Sequence, residues 1–241
     1  RSSSSTPPHH WRIRHAGGES GGHAPRLGEI EFLGPSSTEF NLNEHVDLLE
    51  SGTNVLAIQG LNLAANDTDF AIQPTLQILP APIPENPLAE VPFDGHARVL
   101  IPTHANQLSF AGRDWNDPDF NDQSAPGWFD ATYGVGFDTV GTSEVGPLIH
   151  PAGNLRSSMF TINPSAFVRS QFTIEDPSAL SALQMELDYD DGFVAYLNGT
   201  EVARSNAPSG TPSFDATAGS GSTAPAPLSL DRLPSRDFRL I

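Results

Sequence analysis

The side chains with the most chemical potential in this 241-residue chain lie between residues 113 and 128. Arg113 and Asp114 are followed by Asp117, Asp119 and Asp122. Asn116 and Asn121 are interleaved with them, and Trp115 and Trp128 bracket the run. Two kinds of chemistry fit. Calcium takes six to eight oxygen ligands, so Asp117, Asp119 and Asp122 form a candidate cation loop. The spacing lacks the central glycine and closing glutamate of an EF-hand, and Asp, Asn and Pro are also ordinary turn residues. Alternatively, the run is a carbohydrate site. Trp115 and Trp128 would then stack on the apolar faces of sugars, while Arg113 and Asp114 bind hydroxyls. The competing reading packs both indoles beneath the loop as a satellite core.

Other constellations carry less. Asp188, Asp190 and Asp191 offer carboxylates, but glycoside hydrolysis needs two of them facing a sugar from opposite sides, and residues flanking a turn do not meet that geometry. Gly18-Glu19-Ser20-Gly21-Gly22 matches the nucleophile-elbow pattern without the strand–turn–helix context that gives it meaning. His45, His96, His104 and His150 lack zinc-site spacing. Asn66-Asp67-Thr68 and Asn198-Gly199-Thr200 match the glycosylation pattern, and the second is better explained as a hairpin turn. The expectation is a non-catalytic protein with no cofactor, calcium excepted.

Composition narrows the partners. Aspartate and glutamate outnumber arginine 29 to 12, lysine is absent, and the net charge is −17. Between residues 27 and 230 the balance is near −21, a surface that repels phosphate backbones, so no nucleic-acid partner is expected. No apolar run approaches the ~20 residues of a transmembrane helix. The absence of cysteine excludes disulfides and thiolate metal sites.

The elements that must position the 113–128 run are strands. With 21 glycines and 22 prolines, the chain favours short strands and many turns. Residues 1–26 and 219–241 have no apolar periodicity and read as disordered tails. A first block, 27–80, contains the strands Asn54–Leu61 and Phe70–Ile78. Pro74 sets the latter at an edge or a break, and Asn43 is a candidate helix cap. Five prolines within 80–95 predict an extended linker over 81–95. A second block, 96–218, offers strands at Ala97–Ile101, Thr132–Phe137, Ala166–Ile174, Leu183–Tyr189, Phe193–Leu197 and Glu201–Arg204. Asp190-Asp191-Gly192 reads as a turn and Asn198-Gly199 as a type I′ hairpin. The class is antiparallel all-β, a sandwich.

The segment Leu187-Asp188-Tyr189-Asp190-Asp191-Gly192-Phe193-Val194-Ala195-Tyr196-Leu197-Asn198-Gly199, continuing to Pro208, resembles a galactose-binding-like jelly-roll module. Such modules occur in large secreted planctomycete-type proteins beside lamin-tail or CotH-type domains. Val194 to Gly199 is also similar to the sugar-binding sandwich domains attached to glycoside hydrolases. Trp115 with Pro118 to Asp122, Tyr133 to Phe137 and Arg169 to Pro177 fit the same family. The resemblance implies an extracellular or cell-surface setting, a glycan or polysaccharide partner, and further domains of a parent chain. In this pattern Phe40 to Asn62 corresponds to a module's C-terminal strands and 96–218 to its N-terminal strands. Two arrangements follow. Either the chain spans two incomplete modules, or the blocks complete one circularly permuted sandwich, which requires Val55–Leu61 to join the second block's sheet.

Overall fold

The computed structural model describes residues 38–80, 89–91, 95–103, 114–141 and 145–219, all within the compact unit Pro35–Ile241. The tails expected at 1–26 and beyond Gly219, and most of the expected linker, lie outside the described residues. The chain forms β1 (Thr38–Asn41), β2 (Gly52–Leu61), β3 (Asp69–Pro80), β4 (Ala89–Val91), β5 (His96–Leu100), β6 (Phe129–Thr132), β7 (Val135–Asp138), β8 (Ser165–Ile174), β9 (Leu180–Asp190), β10 (Gly192–Leu197) and β11 (Thr200–Ser205). Two antiparallel sheets result. One runs β1-β9-β3-β4 with β7 also on β3, and the other runs β11-β10-β2-β8-β5-β6.

The alternation that predicted strands also decides which face is dry. Leu183, Met185 and Leu187 of β9 are fully buried among Phe70, Ile72, Leu76 and Ile78 of β3. Each such side chain contributes about 1.5–3 kcal/mol on leaving water. β2 instead has an unbroken buried run from Asn54 to Leu61, because both of its faces are covered. Leu56 and Ile58 face the central core, while Val55, Ala57 and Leu61 lie under a strap formed by residues 206–219. At Gly60 the β3 side chains of the facing sheet leave no room for a side chain: a Cβ there would stand 2.6 Å from Phe70 Cζ and 2.7 Å from Ile72 Cγ1.

The two sequence blocks interleave. β2, from the first block, lies between β8 and β10 of the second, with continuous pairing from Gly52↔Ile174 to Leu61↔Ser165 and from Leu56↔Leu197 to Leu61↔Gly192. β3 likewise pairs with β9 along its length. The blocks share both sheets.

Three local expectations change. Thr132–Phe137 is two strands, not one: β6 belongs to the six-stranded sheet and β7 to the other, so the chain crosses the sandwich at Tyr133-Gly134. Asp190-Asp191-Gly192 does not fold β9 back on a neighbour; it carries the chain from one sheet to the other. The 3-10 turn Asn43–Leu48 is preceded by Leu42, and Asn43 spends its side chain elsewhere, accepting from Leu183 N at 2.8 Å. Pro74 sits within β3, opposite Leu187 on β9. On the other flank β7 pairs only with residues 69–72 and β4 only with 76–78. The residue lacking an N–H therefore falls in the gap between two short neighbours, where no ladder donor is needed. Ala89–Val91 of the expected linker is β4 itself.

Candidate functional site

The 114–128 loop is organised from below by two arginines. β8 alternates Ala166, Val168 and Ser170 toward the core with Phe167 and Arg169 on the outer face, and Arg98 of β5 lies directly opposite Arg169. Arg169 is 1% exposed. Its Nε donates to Asp122 Oδ2 at 2.9 Å, one terminal nitrogen donates to the carbonyls of Trp115 and Asp117, and the other donates to Phe120 O at 3.3 Å. The guanidinium also stands 5.2 Å from the Phe120 ring centroid. Burial pulls the Arg169 pKa down, and the Asp122 carboxylate opposes that pull. Arg98 donates to Asp122 O at 2.8 Å and to Asp130 Oδ1 at 2.9 Å. The Arg98 hydrogen bond, with His96 adding to it, holds Asp130 below the usual carboxylate range. The loop thus wraps a buried cation, with its carbonyls turned inward.

This arrangement distributes the residues singled out by sequence. Asp122 is 3% exposed and faces inward onto Arg169, so it is an internal counter-ion and does not join Asp117 and Asp119 at the surface. Asp117 Oδ1 accepts the Asp119 backbone N–H at 2.8 Å, an Asx turn. Among the described residues no three acidic or histidine side chains converge to hold a metal ion; of the three carboxylates expected to form a calcium loop, that of Asp122 is engaged by the Arg169 guanidinium. Trp128 is 7% exposed and tilts against Phe120 at 5.7 Å, in a cluster with Leu100 and Phe167. It has no ring face to offer a ligand. Trp115 is half-buried, stacked on Phe167 at 4.3 Å with its edge toward Tyr196 at 5.8 Å, and it bridges the clusters beneath the loop and the strap. Asp114 is exposed. Arg113 and His104 lie outside the described residues.

What the loop presents outward is a shallow concavity of about 280 Å³. Asp114, Asn116, Asp117 and Pro118 form one side, and Asn198, Gly199 and Thr200 of the β10–β11 hairpin form the other. The hairpin has the backbone its sequence predicted, φ +48° at Asn198 and +85° at Gly199. Asn198 also anchors it: Oδ1 accepts from Val55 N, and Nδ2 donates to Leu48 O and Asn54 Oδ1, each at 2.8 Å. Sequence reasoning missed this second wall. Turn geometry alone explains Asn198 in the sequence, and nothing in the spacing brings residue 198 to residue 116.

A second acidic locus lies at the β9–β10 crossing. Burial, and then the Asp191 charge, push Asp190 up to about 7, and burial raises Asp191 as well. Asp188 is raised by burial and by the neighbouring Glu186. Asp190 and Asp191 are neighbours on one crossing between the sheets; they do not form the opposed walls that glycoside hydrolysis requires. The remaining histidines have local roles: His96 contacts Asp130 at 3.0 Å, and His150 Nδ1 accepts from Ala152 N at 3.1 Å. No family model, no curated protein and no solved structure matches this chain.

Proposed function

We propose that this chain is a non-catalytic β-sandwich module that binds a neutral glycan in the concavity between the 114–118 loop and the β10–β11 hairpin. The carrying observation is that concavity: carboxylate, amide and hydroxyl groups on two rigid walls, with half-buried Trp115 next in sequence to Asp114 and Asn116. Such groups pair with sugar hydroxyls, and a scaffold fixed by Arg169 and Asn198 limits the ordering cost of binding. The anionic surface disfavours uronic or sulfated polymers. The resemblance to galactose-binding-like jelly rolls extends this reading to an extracellular or cell-surface protein whose other domains carry further activities.

One observation favours a second reading, a structural spacer with no ligand: Trp128 is buried and Trp115 is packed between Phe167 and Tyr196. A glycan-array screen of the full chain, repeated with Asn116→Ala and Thr200→Ala, separates the two. Binding that both substitutions weaken supports the module. An array silent for a demonstrably folded protein establishes the spacer.

A further inference from the structure

The β10–β11 hairpin turns on Asn198 and Gly199, between the paired residues Leu197 and Thr200. A turn of this type accepts Asp-Gly as readily as Asn-Gly. The anchor beneath it does not. Asn198 Oδ1 accepts the Val55 N–H at 2.8 Å, whereas Nδ2 faces two acceptors, Leu48 O and Asn54 Oδ1, each at 2.8 Å. Asn54 Oδ1 is itself fixed as an acceptor: it takes the Glu50 N–H at 2.8 Å, while Asn54 Nδ2 donates to Glu50 O and Gly52 O. The partners therefore dictate which end of each amide is oxygen and which is nitrogen. An ionised aspartate at 198 has only acceptor oxygens, and one of them would stand against two more.

Asparagine followed by glycine is chemically labile, because no side chain shields the glycine nitrogen from the neighbouring amide. Here Gly199 and Thr200 are exposed and Asn198 is half-buried, so water reaches the turn. We propose that Asn198-Gly199 is a covalent modification site, a deamidation switch held in check by its own anchor. The Gly199 nitrogen adds to Asn198 Cγ, Nδ2 departs as ammonia carrying the Gly199 proton, and a succinimide closes. Water then opens the ring at either carbonyl, giving aspartate or isoaspartate. The net exchange is one water taken up for one ammonia released, with no oxidant or reductant.

In the folded chain the departing nitrogen is held by two acceptors and the carbonyl by Val55, so the ring closes only when the anchor opens. Neither product restores it. Aspartate sets a carboxylate against Leu48 O and Asn54 Oδ1. Isoaspartate adds a backbone atom to a turn whose register is fixed by Leu197↔Thr200. The reaction therefore runs once and releases the hairpin from β2. The inference stands independently of any glycan; where the concavity holds one, the same event removes its 198–200 wall.

The test incubates the full chain in mildly alkaline buffer, folded and in urea, and maps residue 198 by mass and by separation of isoaspartyl peptides. Deamidation at 198 is expected to be at least about tenfold slower in the folded chain. The slowing should match the factor by which native-state hydrogen exchange protects the Val55 amide, since both read the same opening. The deamidated fraction, separated by its added charge, is expected to lose protection at Val55 and along β11 and to keep it in β3. Asn198→Asp, a pure sample of one product, should lose the same amides; should it not fold, the deamidated parent supplies the reading. Equal rates folded and in urea, a slowing unrelated to Val55 opening, or a deamidated chain that keeps Val55 and β11 protected overturns the proposal.

Discussion

Replacing Arg169 by Met tests whether the guanidinium, and not the aspartate loop itself, is the organising element. The substitution leaves Asp122, 3% exposed, as a buried carboxylate without its closest counter-ion, a loss of about 3–5 kcal/mol. It also removes the donors for the carbonyls of Trp115, Asp117 and Phe120, each worth at least about 1 kcal/mol if left dry. That total is comparable with a domain's whole stability of about 5–15 kcal/mol. The loop is therefore expected to lift and admit water, which limits the measured loss to about 3–5 kcal/mol. Urea unfolding followed by tryptophan emission reads both effects: a lower midpoint, and a red shift of the native spectrum as Trp115 and Trp128 become wet. The double variant Arg169→Met with Asp122→Leu separates the ion pair from the carbonyl cradle. If the cradle matters, removing the charge restores only part of the loss. A double variant within about 1 kcal/mol of the parent, or a native spectrum unchanged in Arg169→Met, would refute the reasoning.

Trp128→Phe is expected to cost about 1 kcal/mol or less, because the indole N–H is buried without an acceptor among the described residues and its removal offsets lost packing; glycan binding should be unaffected, as read on the same array. Gly60→Ala should destabilise by about 1–3 kcal/mol, since its Cβ would meet Phe70 and Ile72 inside ordinary contact distance, and calorimetry would show it as a lowered Tm. Stability should also depend on pH. The folded pKa of Asp190 stands above its unfolded value, so its contribution is complete below about pH 4 and is lost as pH rises through about 7. After discounting for solvent screening at a half-exposed group, the loss is about 1 kcal/mol, and Asp190→Asn should abolish it in thermal melts at matched ionic strength.

The strands were legible because their signals are local. Leu183, Met185 and Leu187 alternate with polar residues, and Asn198-Gly199 carries a hairpin whatever surrounds it. The site was only half legible. Tryptophans beside aspartates look alike whether they form a platform or a plug, and the group that decides, Arg169, lies 47 residues from Asp122. One signal was present in the sequence: Arg98 and Arg169 each stand at an outward position within an apolar strand, where a charge needs a cover. The crossing at Asp190-Asp191 read as a turn because its residues are turn residues; that it passes between sheets depends on β2 and β3, more than a hundred positions away.

The placement of β2 constrains how the chain can be made. Its partners on β8 lie roughly a hundred residues downstream, so the centre of the six-stranded sheet cannot close until most of the sequence is available. A ribosome releasing the chain from its N-terminus exposes Val55 to Leu61, an apolar strand with two open edges, for the whole of that interval. Folding is then expected to be slow and dependent on chaperone protection during synthesis. The same topology makes the segment between β3 and β5 a natural place to divide the protein: the N-terminal fragment carries β1 and β3 of one sheet and β2 alone of the other, so the two fragments should recover structure only when mixed.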